Sequence, residues 1–265
     1  MLDLHTHSSA SDGKESPREI VRQAKERGLQ GIALTDHDTC VGLEEAFAAG
    51  LTYGLAVLPG IELSAEWCDK DVHILGYWIS QSDRQLTALT AKLRAERATR
   101  IASMVARLGE LGLPLTLSEV TDQNKGDAHS LGRPHVARAL LNRGYVGNFA
   151  AAFDQYLERG RPAYVPRYKL LPEEAIKAIV GSGGVAVWAH PGPLAKLLLK
   201  PLVKAGLRGI EVYHPDHDEA RERELLGLAC EHGLVVTGGS DAHSAAALGT
   251  KGIGNHVWYE LWSRR

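Results

Sequence analysis

Residues 2–13, LDLHTHSSASDG, join a short apolar strand directly to a group of polar side chains. His5, His7 and Asp12 come at the end of this strand and just beyond it. Two imidazoles separated by one residue allow two interpretations. They are either the solvated end of a strand, or the first part of a metal site whose other ligands lie further along the chain.

The same succession of an apolar strand, a polar end and a helix recurs downstream. Residues 31–38 (GIALTDHD), 183–192 (GGVAVWAHPG) and 233–243 (GLVVTGGSDAH) show it most clearly. Strands that alternate with helices are typical of a parallel α/β sheet. The sequence therefore predicts a parallel α/β fold, with a closed barrel as one form of it.

The middle of the chain has a different pattern. Residues 82–112 carry apolar side chains at helical spacing, and two or three shorter helices are predicted after them. We predict that residues 93–168 form a helical insertion domain between the two parts of one barrel, residues 1–92 and 169–265.

Composition limits the classes of function. The chain has 265 residues, of which 44% are hydrophobic, so it can form a sizeable core. Its formal net charge of −2 argues against binding to duplex nucleic acid. The three cysteines lie far apart, which predicts no disulfide framework. With no signal peptide and no apolar run of about 20 residues, a cytoplasmic protein without a membrane span is expected. The oligomeric state stays open.

Nine imidazole and carboxylate residues fall at or near the ends of predicted strands: His5, His7, Asp12, His37, Glu62, His73, His190, Asp241 and His243. In α/β barrels the carboxyl ends of the strands meet at one mouth. Crowded charges and imidazoles are costly to bury without a cation. The pattern therefore predicts a cluster of divalent cations, and nitrogen and oxygen ligands without thiolate suit Mn, Fe or Zn.

Six motifs, DLHTHSSASDG, ALTDHDT, PGIELS, HILGY, AHPG and GSDAH, resemble those of the PHP (polymerase and histidinol phosphatase) superfamily and occur in its order. The resemblance implies a distorted (β/α)7 barrel that holds two or three metal ions. It implies a first metal held by His5, His7, Glu62 and Asp241, and a second held by Glu62, His73 and His190. A third position would use the candidate catalytic residues Asp12, His37 and His243, of which Asp12 or His243 would stabilise or protonate the leaving oxygen.

Other polar residues near these motifs are expected to have supporting or structural roles. We expect Asp36 and Asp38 to orient His37. Five histidines lack motif context, and we expect them to have surface or structural roles: His129, His214, His217, His232 and His256.

The insertion indicates the substrate. Arg94, Arg97 and Arg100 lie three residues apart on one predicted helix, and Arg133 and His135 begin another. We interpret Arg94 as part of a solvated helix face. Arg97, Arg100 and Arg133 could instead bind a second phosphate group of the substrate. The RxxR pair, RPHVAR and YLERGRPAYV are similar to a bacterial PHP branch of nucleoside 3′,5′-bisphosphate phosphatases and 5′-to-3′ exoribonucleases. The resemblance implies that Arg97, Arg100, Arg133 and His135 hold the non-reacting phosphate or the nucleotide.

We therefore expect a phosphoesterase in which a metal-activated hydroxide removes the 3′-phosphate of nucleoside 3′,5′-bisphosphates. The first alternative is a 5′-to-3′ exonuclease that acts on short 5′-phosphorylated RNA or DNA. The second is a non-catalytic module that binds metal or nucleotide. One departure from the branch is Ala242, which stands where an aromatic residue is usual between Asp241 and His243.

Overall fold

A computed structural model describes residues 1–123, 131–166 and 168–265 of the chain. Its seven strands form one sheet in the order β1 to β7: β1 Leu2–Thr6, β2 Gly31–Leu34, β3 Ala56–Trp67, β4 Lys70–Tyr77, β5 Val185–Trp188, β6 Gly209–Tyr213 and β7 Val235–Gly238. The first and last strands approach each other through a bridge between Thr6 and Ala242. The sheet is therefore a nearly closed seven-stranded barrel, as the sequence predicts.

The described helices are α1 Pro17–Glu26, α2 Leu43–Tyr53, α3 Arg84–Glu110, α4 Leu117–Thr121, α5 Arg133–Asn142, α6 Phe149–Ala152, α7 Pro172–Gly181, α8 Ala195–Ala205, α9 Glu219–His232 and α10 His256–Trp262. A π-helical turn, Phe153–Leu157, follows α6, and a 3₁₀ turn, Ala245–Ala247, follows β7. Each of these described helices is too short or too polar to cross a lipid bilayer.

The expectation of a purely parallel sheet is wrong at β4, which runs antiparallel to both β3 and β5. The reason is the short connection between β3 and β4. Cys68 and Asp69 form this turn with φ values of 45° and 62°. Positive φ at both central residues is the geometry of a tight hairpin, whereas a parallel neighbour needs a crossover of a dozen or more residues.

This reversed strand explains how His73 reaches the mouth of the barrel. His73 lies in the first half of β4, opposite Ser64 of β3. Because β4 runs the other way, its beginning lies beside the carboxyl-terminal parts of the other strands. Glu62 lies in the middle of the 12-residue strand β3, which extends past the parallel part of the sheet.

Within the described ranges, buried apolar side chains form three clusters. The largest joins the outer face of the strands to α1, α2, α7, α8 and α9, and a second joins strands to α10. The third consists of residues between Ile101 and Ala163. Helix α3 contributes to two of them, since Leu93 packs in the largest cluster and Ile101 in the third. This separate core supports our proposal that residues 93–168 form an insertion domain.

Ala242 has a structural role that its small size allows. It is fully buried, and its backbone closes the barrel: its carbonyl oxygen accepts from His7 N at 3.0 Å, and its N–H donates to the His5 carbonyl oxygen at 3.4 Å. These two bonds align the histidines of β1 with Asp241 on the opposite side of the closure.

Candidate active site

Glu62 is the meeting point of five histidines at the mouth of the barrel. Its Oε2 lies 3.3 Å from His5 Nε2, 3.3 Å from His7 Nε2 and 3.1 Å from His37 Nδ1. Its Oε1 lies 2.9 Å from His73 Nδ1 and 3.2 Å from His190 Nε2. The two oxygens of one carboxylate therefore face two different sets of imidazoles.

The other predicted carboxylates complete this group. Asp241 Oδ1 lies 3.0 Å from His7 Nε2 and 3.4 Å from His5 Nε2. Asp12 Oδ1 lies 3.2 Å from His243 Nε2, and its Oδ2 lies 4.0 Å from His37 Nε2. The structure thus brings all nine residues singled out by the sequence into one cluster.

Several polar atoms of the cluster are buried and, although other members lie close to them, make no hydrogen bond of normal geometry to any described residue: His5 Nε2, His7 Nδ1 and Nε2, Glu62 Oε2, His73 Nδ1 and Asp241 Oδ1. A buried polar atom without a partner costs about 1–3 kcal/mol, so a native fold keeps such a group only when something else satisfies it. Most of these atoms converge on common points between the side chains, where a cation would bind them. The donor set fits divalent metal ions.

Among the residues that the structure describes, three groups of side chains have ligand atoms close enough to share one cation. They are His5, His7, Glu62 and Asp241; His7, Asp12, His37 and His243; and His37, Glu62 and His73. The first group has the same members as the first predicted ligand set. The second contains the predicted third set with His7 added. His190 is outside these groups, although it shares Glu62 Oε1 with His73.

The electrostatics of the cluster depend on the pairing of imidazoles with carboxylates. Burial alone would raise the pKa of Glu62, but the imidazoles of His37, His5 and His73 hold it well below its usual range. Burial alone would lower the pKa of His7, but Asp241 and Glu62 raise it to about 10. Without a bound cation, His7 would therefore be a positively charged imidazolium, with protons on both ring nitrogens, at neutral pH.

Two functional residues were missed in the sequence analysis. Glu211 is fully buried in β6, where its Oε1 lies 3.1 Å from His5 Nδ1 and its Oε2 accepts from His190 N at 2.8 Å. Its contact with His5 Nδ1 leaves His5 Nε2 directed at Glu62. An acid in the middle of an otherwise apolar strand, Ile-Glu-Val, was the available signal.

His214 is the second: it is not at the surface but has a structural role beside Asp241. It is buried, with Nδ1 accepting from Asp216 N at 3.1 Å. In the neutral ring the proton then lies on Nε2, which is 3.4 Å from Asp241 Oδ2. His214 holds one oxygen of Asp241 and leaves Oδ1 for the cluster. The sequence did contain an indication of this role, because His214 directly follows β6 much as His190 follows β5. His129 lies outside the described residues.

Asp36 and Asp38 have partners other than the expected His37. Asp36 accepts from the Ser8 hydroxyl at 2.7 Å and from the Ser11 hydroxyl at 2.6 Å. Asp38 accepts from Ser64 N at 2.9 Å and pairs with Arg97. Both flank His37 in sequence, but the hydrogen bonds of their side chains go to the loop after β1, to β3 and to α3.

Three residues near the mouth adopt a backbone conformation that side chains other than glycine rarely adopt. The φ values are 54° for Asp38, 28° for His190 and 48° for Asp241. Each such residue costs about 1 kcal/mol or more. Backbone hydrogen bonds from Asp38 N to the Glu62 carbonyl oxygen and from His190 N to Glu211 Oε2 help to hold two of these conformations.

A cavity of about 250 Å³ connects the cluster with the arginines of α3 and α5. Asp12, His37 and His73 line one part of it, and Arg97, Arg100 and Arg133 line another. Arg100 Nε also donates to Val165 O at 2.7 Å, and Arg133 Nη1 lies 3.7 Å from Glu158 Oε1. Arg94 faces a different pocket, beside Cys40.

His135 lies behind the wall of this cavity. Its exposed fraction is 1%, and its Nδ1 accepts from Gly132 N at 3.0 Å. Burial lowers its pKa to about 4, so the ring is neutral. The expected contact with substrate is therefore replaced by a contact that fixes the first turn of α5, next to Arg133.

Comparison with known proteins agrees with this site. A family model described as PHP domain matches residues 3–180. The 3′,5′-nucleoside bisphosphate phosphatase of Chromobacterium violaceum is 34% identical over 99% of this chain and 97% of its own length. The 5′-3′ exoribonuclease Rnm of Escherichia coli is 35% identical over 92% of this chain and 85% of its own length.

A solved structure has the same architecture. A candidate metal-dependent phosphoesterase from Bifidobacterium adolescentis superposes with a TM-score of 0.92 at 35% identity. The superposition covers 99% of this chain and 96% of that protein, so the barrel and the helices between its two parts both have counterparts.

The shared carboxylate can be tested by replacing Glu62 with Gln. We expect Glu62→Gln to lose bound metal, because the amide has one oxygen and no charge, and to lower turnover by more than about 100-fold. Metal content per chain is measured by mass spectrometry of the purified protein. Glu66→Gln is the matched control on the same strand, since Glu66 is 4% exposed but pairs with Lys169. Equal metal content in both variants would contradict this assignment.

The paired imidazoles predict that metal binding releases protons. Since the pKa of His7 is raised to about 10 in the metal-free chain, His7 must lose a proton to become a ligand at pH 7. Apparent Mn²⁺ affinity should therefore fall as the pH is lowered. Calorimetric titration of metal-free protein in two buffers of different ionisation enthalpy measures the release. His256→Gln, an exposed site, should release as many protons as wild type, and equal heats in both buffers would refute the prediction.

Proposed function

Because the chain belongs to the PHP domain family of metal-dependent phosphoesterases, we propose that it hydrolyses the 3′-phosphate of nucleoside 3′,5′-bisphosphates. The observation that carries this proposal is the cavity that joins the histidine and carboxylate cluster to three arginines. One phosphate of such a substrate can lie at the cluster while the other lies against the arginines. The relative from C. violaceum, named for this activity, supports the same substrate.

We infer that the cluster holds two or three ions of Mn, Fe or Zn. His5, His7, Glu62 and Asp241 would hold one of them, and Glu62 would share another with His73 and His190. Asp12, His37 and His243 would hold a third, or contact the reacting phosphate directly. When bound, the cations supply activation of the attacking water and neutralise charge on the phosphoryl oxygens.

We propose that Asp12 and His243 provide the proton that the leaving oxygen needs. Nδ1 of His243 lies 2.9 Å from the Asp241 carbonyl oxygen, to which it donates. A second proton on Nε2 is then held against Asp12 Oδ1, 3.2 Å away. Burial lowers the pKa of His243, but its pairing with Asp12 raises it overall. Burial lowers the pKa of His37 to about 4, so this ring is neutral beside them.

Arg97, Arg100 and Arg133 would hold the 5′-phosphate, which does not react. Charge-assisted bonds from guanidinium groups to phosphate are short and directional. The start of α5 adds its own preference for an anion, since the positive end of the helix dipole lies there. His135 supports this arrangement from behind by fixing Gly132, the residue before Arg133.

A 5′-to-3′ exoribonuclease activity on short oligonucleotides is the second candidate, and the E. coli relative named for that activity favours it. Both reactions would break a phosphate ester on the 3′ side of a nucleotide whose 5′-phosphate is held. We do not propose a duplex substrate, because the cavity that joins the cluster to the arginines has a volume of about 250 Å³. We further infer a cytoplasmic location, with which the three free cysteines agree.

The two activities are distinguished by their products. With Mn²⁺ added, adenosine 3′,5′-bisphosphate should give inorganic phosphate and AMP, and adenosine 3′-phosphate should react with a higher KM because it lacks the second phosphate. A 5′-phosphorylated RNA trinucleotide is assayed beside them. Stepwise release of mononucleotides from the trinucleotide, with little phosphate from the bisphosphate, would show that the protein is an exoribonuclease and not a bisphosphate phosphatase.

The arginine site is tested with two variants of the same helix. Arg97→Ala should raise KM for adenosine 3′,5′-bisphosphate about 10- to 100-fold, the value of one charge-assisted phosphate contact, with a smaller change in kcat. Arg94→Ala, one turn earlier and facing another pocket, should behave as wild type. Steady-state kinetics measure both. Unchanged KM in Arg97→Ala and in Arg133→Ala would disprove the site.

A further inference from the structure

The ion pair between Asp38 and Arg97 connects the barrel to the predicted insertion. Asp38 follows His37 after β2, whereas Arg97 belongs to α3. Asp38 Oδ2 accepts from Arg97 Nη2. The Asp38 side chain is 4% exposed and that of Arg97 is 21% exposed. The carboxylate is therefore enclosed by protein, and the guanidinium is the member of the pair that reaches solvent.

Asp38 is held rigidly in this position. Its Oδ1 accepts from Ser64 N at 2.9 Å, and its own N–H donates to the Glu62 carbonyl oxygen at 2.9 Å. Both bonds attach it to β3, the strand that carries the shared carboxylate of the cluster. Its φ of 54° is sterically unfavourable for a residue with a side chain, and these bonds maintain it.

Arg97 extends from Asp38 towards the start of α5. A Cβ atom built on Gly132 would lie 3.8 Å from Arg97 Nη1, so this end of the guanidinium is beside the first turn of α5. Gly132 and Arg133 line the same cavity as Arg97. A guanidinium has five N–H donors, and the bond to Asp38 needs only one of those on Nη2. Donors remain to bind a phosphate in the cavity.

We propose that Asp38 is a positioning residue that presents Arg97 to the non-reacting phosphate, and so determines the preference for doubly phosphorylated nucleotides. This inference rests on the proposed function of the arginine site. A free arginine side chain has many rotamers, and ordering it when substrate binds lowers affinity. Asp38 orders it before binding. Since the effect concerns only the remote phosphate, it should appear in KM for the bisphosphate rather than in kcat.

A simple charge argument predicts the opposite result. Asp38 carries a negative charge close to the place proposed for a phosphate dianion, and like charges repel. If repulsion dominated, removal of this charge would improve binding. If positioning dominates, the same removal weakens binding even though it makes the cavity more positive. The sign of the change therefore decides between the two effects.

The test is Asp38→Asn, which keeps an oxygen for the Ser64 N–H and removes the charge that holds Arg97. We expect KM for adenosine 3′,5′-bisphosphate to rise about 3- to 10-fold, with kcat nearly unchanged. For adenosine 3′-phosphate, which lacks the remote phosphate, kcat/KM should stay at the wild-type value. Calorimetric binding of AMP, whose 5′-phosphate uses the same arginines, should weaken by a similar factor.

Glu96→Gln is the matched charge control, because Glu96 is exposed on α3 and lines the same cavity. It should leave KM unchanged or slightly lower it. If Asp38→Asn also leaves KM unchanged or lowers it, the inference is wrong. An equal fall in kcat/KM for adenosine 3′,5′-bisphosphate and for adenosine 3′-phosphate would show a general structural role of Asp38 and would also overturn the inference. Failure of the proposed function is distinguishable, since wild type itself would then neither prefer the bisphosphate nor bind AMP.

Discussion

The structure depends on one buried carboxylate, Glu62, and on its need for positive charge on both oxygens. Glu62 is 1% exposed, and a carboxylate in that environment is unstable without compensation. Five imidazoles, from β1, β4 and the segments that follow β1, β2 and β5, surround it. The cations proposed for this site would compensate the charge further. The arrangement of strands around this residue is therefore also the arrangement of the site.

The reversed strand β4 is a direct consequence of building such a site in a barrel. A purely parallel barrel presents one carboxyl-terminal end per strand to the mouth. The hairpin at Cys68–Asp69 instead brings the beginning of β4 to the mouth, beside the extended part of β3. His73 can thereby contact the same carboxylate that β3 supplies from its middle. Distortion of the barrel and sharing of Glu62 have the same geometric origin.

The predicted insertion contributes the arginines of the proposed phosphate site. Its own apolar cluster orders α3 and α5, and the side chains between these helices and the barrel line the cavity. The Asp38–Arg97 pair joins the two parts at the cavity itself. In the function proposed here, metal ions at the cluster would act on many phosphate esters, and the arginines would select those with a second phosphate. Chemistry and selectivity would then reside on different parts of one chain.

Local sequence was sufficient for the strand ends, the barrel class and the nine residues of the cluster, because an apolar strand followed by imidazoles and acids is visible within ten residues. It was insufficient for Glu211 and His214, whose importance comes from contacts with His5 and Asp241, more than 200 and 27 positions away. The partner of Asp38 was equally hidden, since Arg97 is 59 positions further along the chain. Side-chain type and periodicity determine which residues can bind a cation or a phosphate. Only the closure of the barrel and the packing of α3 against its mouth decide which of them meet, since those contacts depend on distances between segments that the order of residues does not contain.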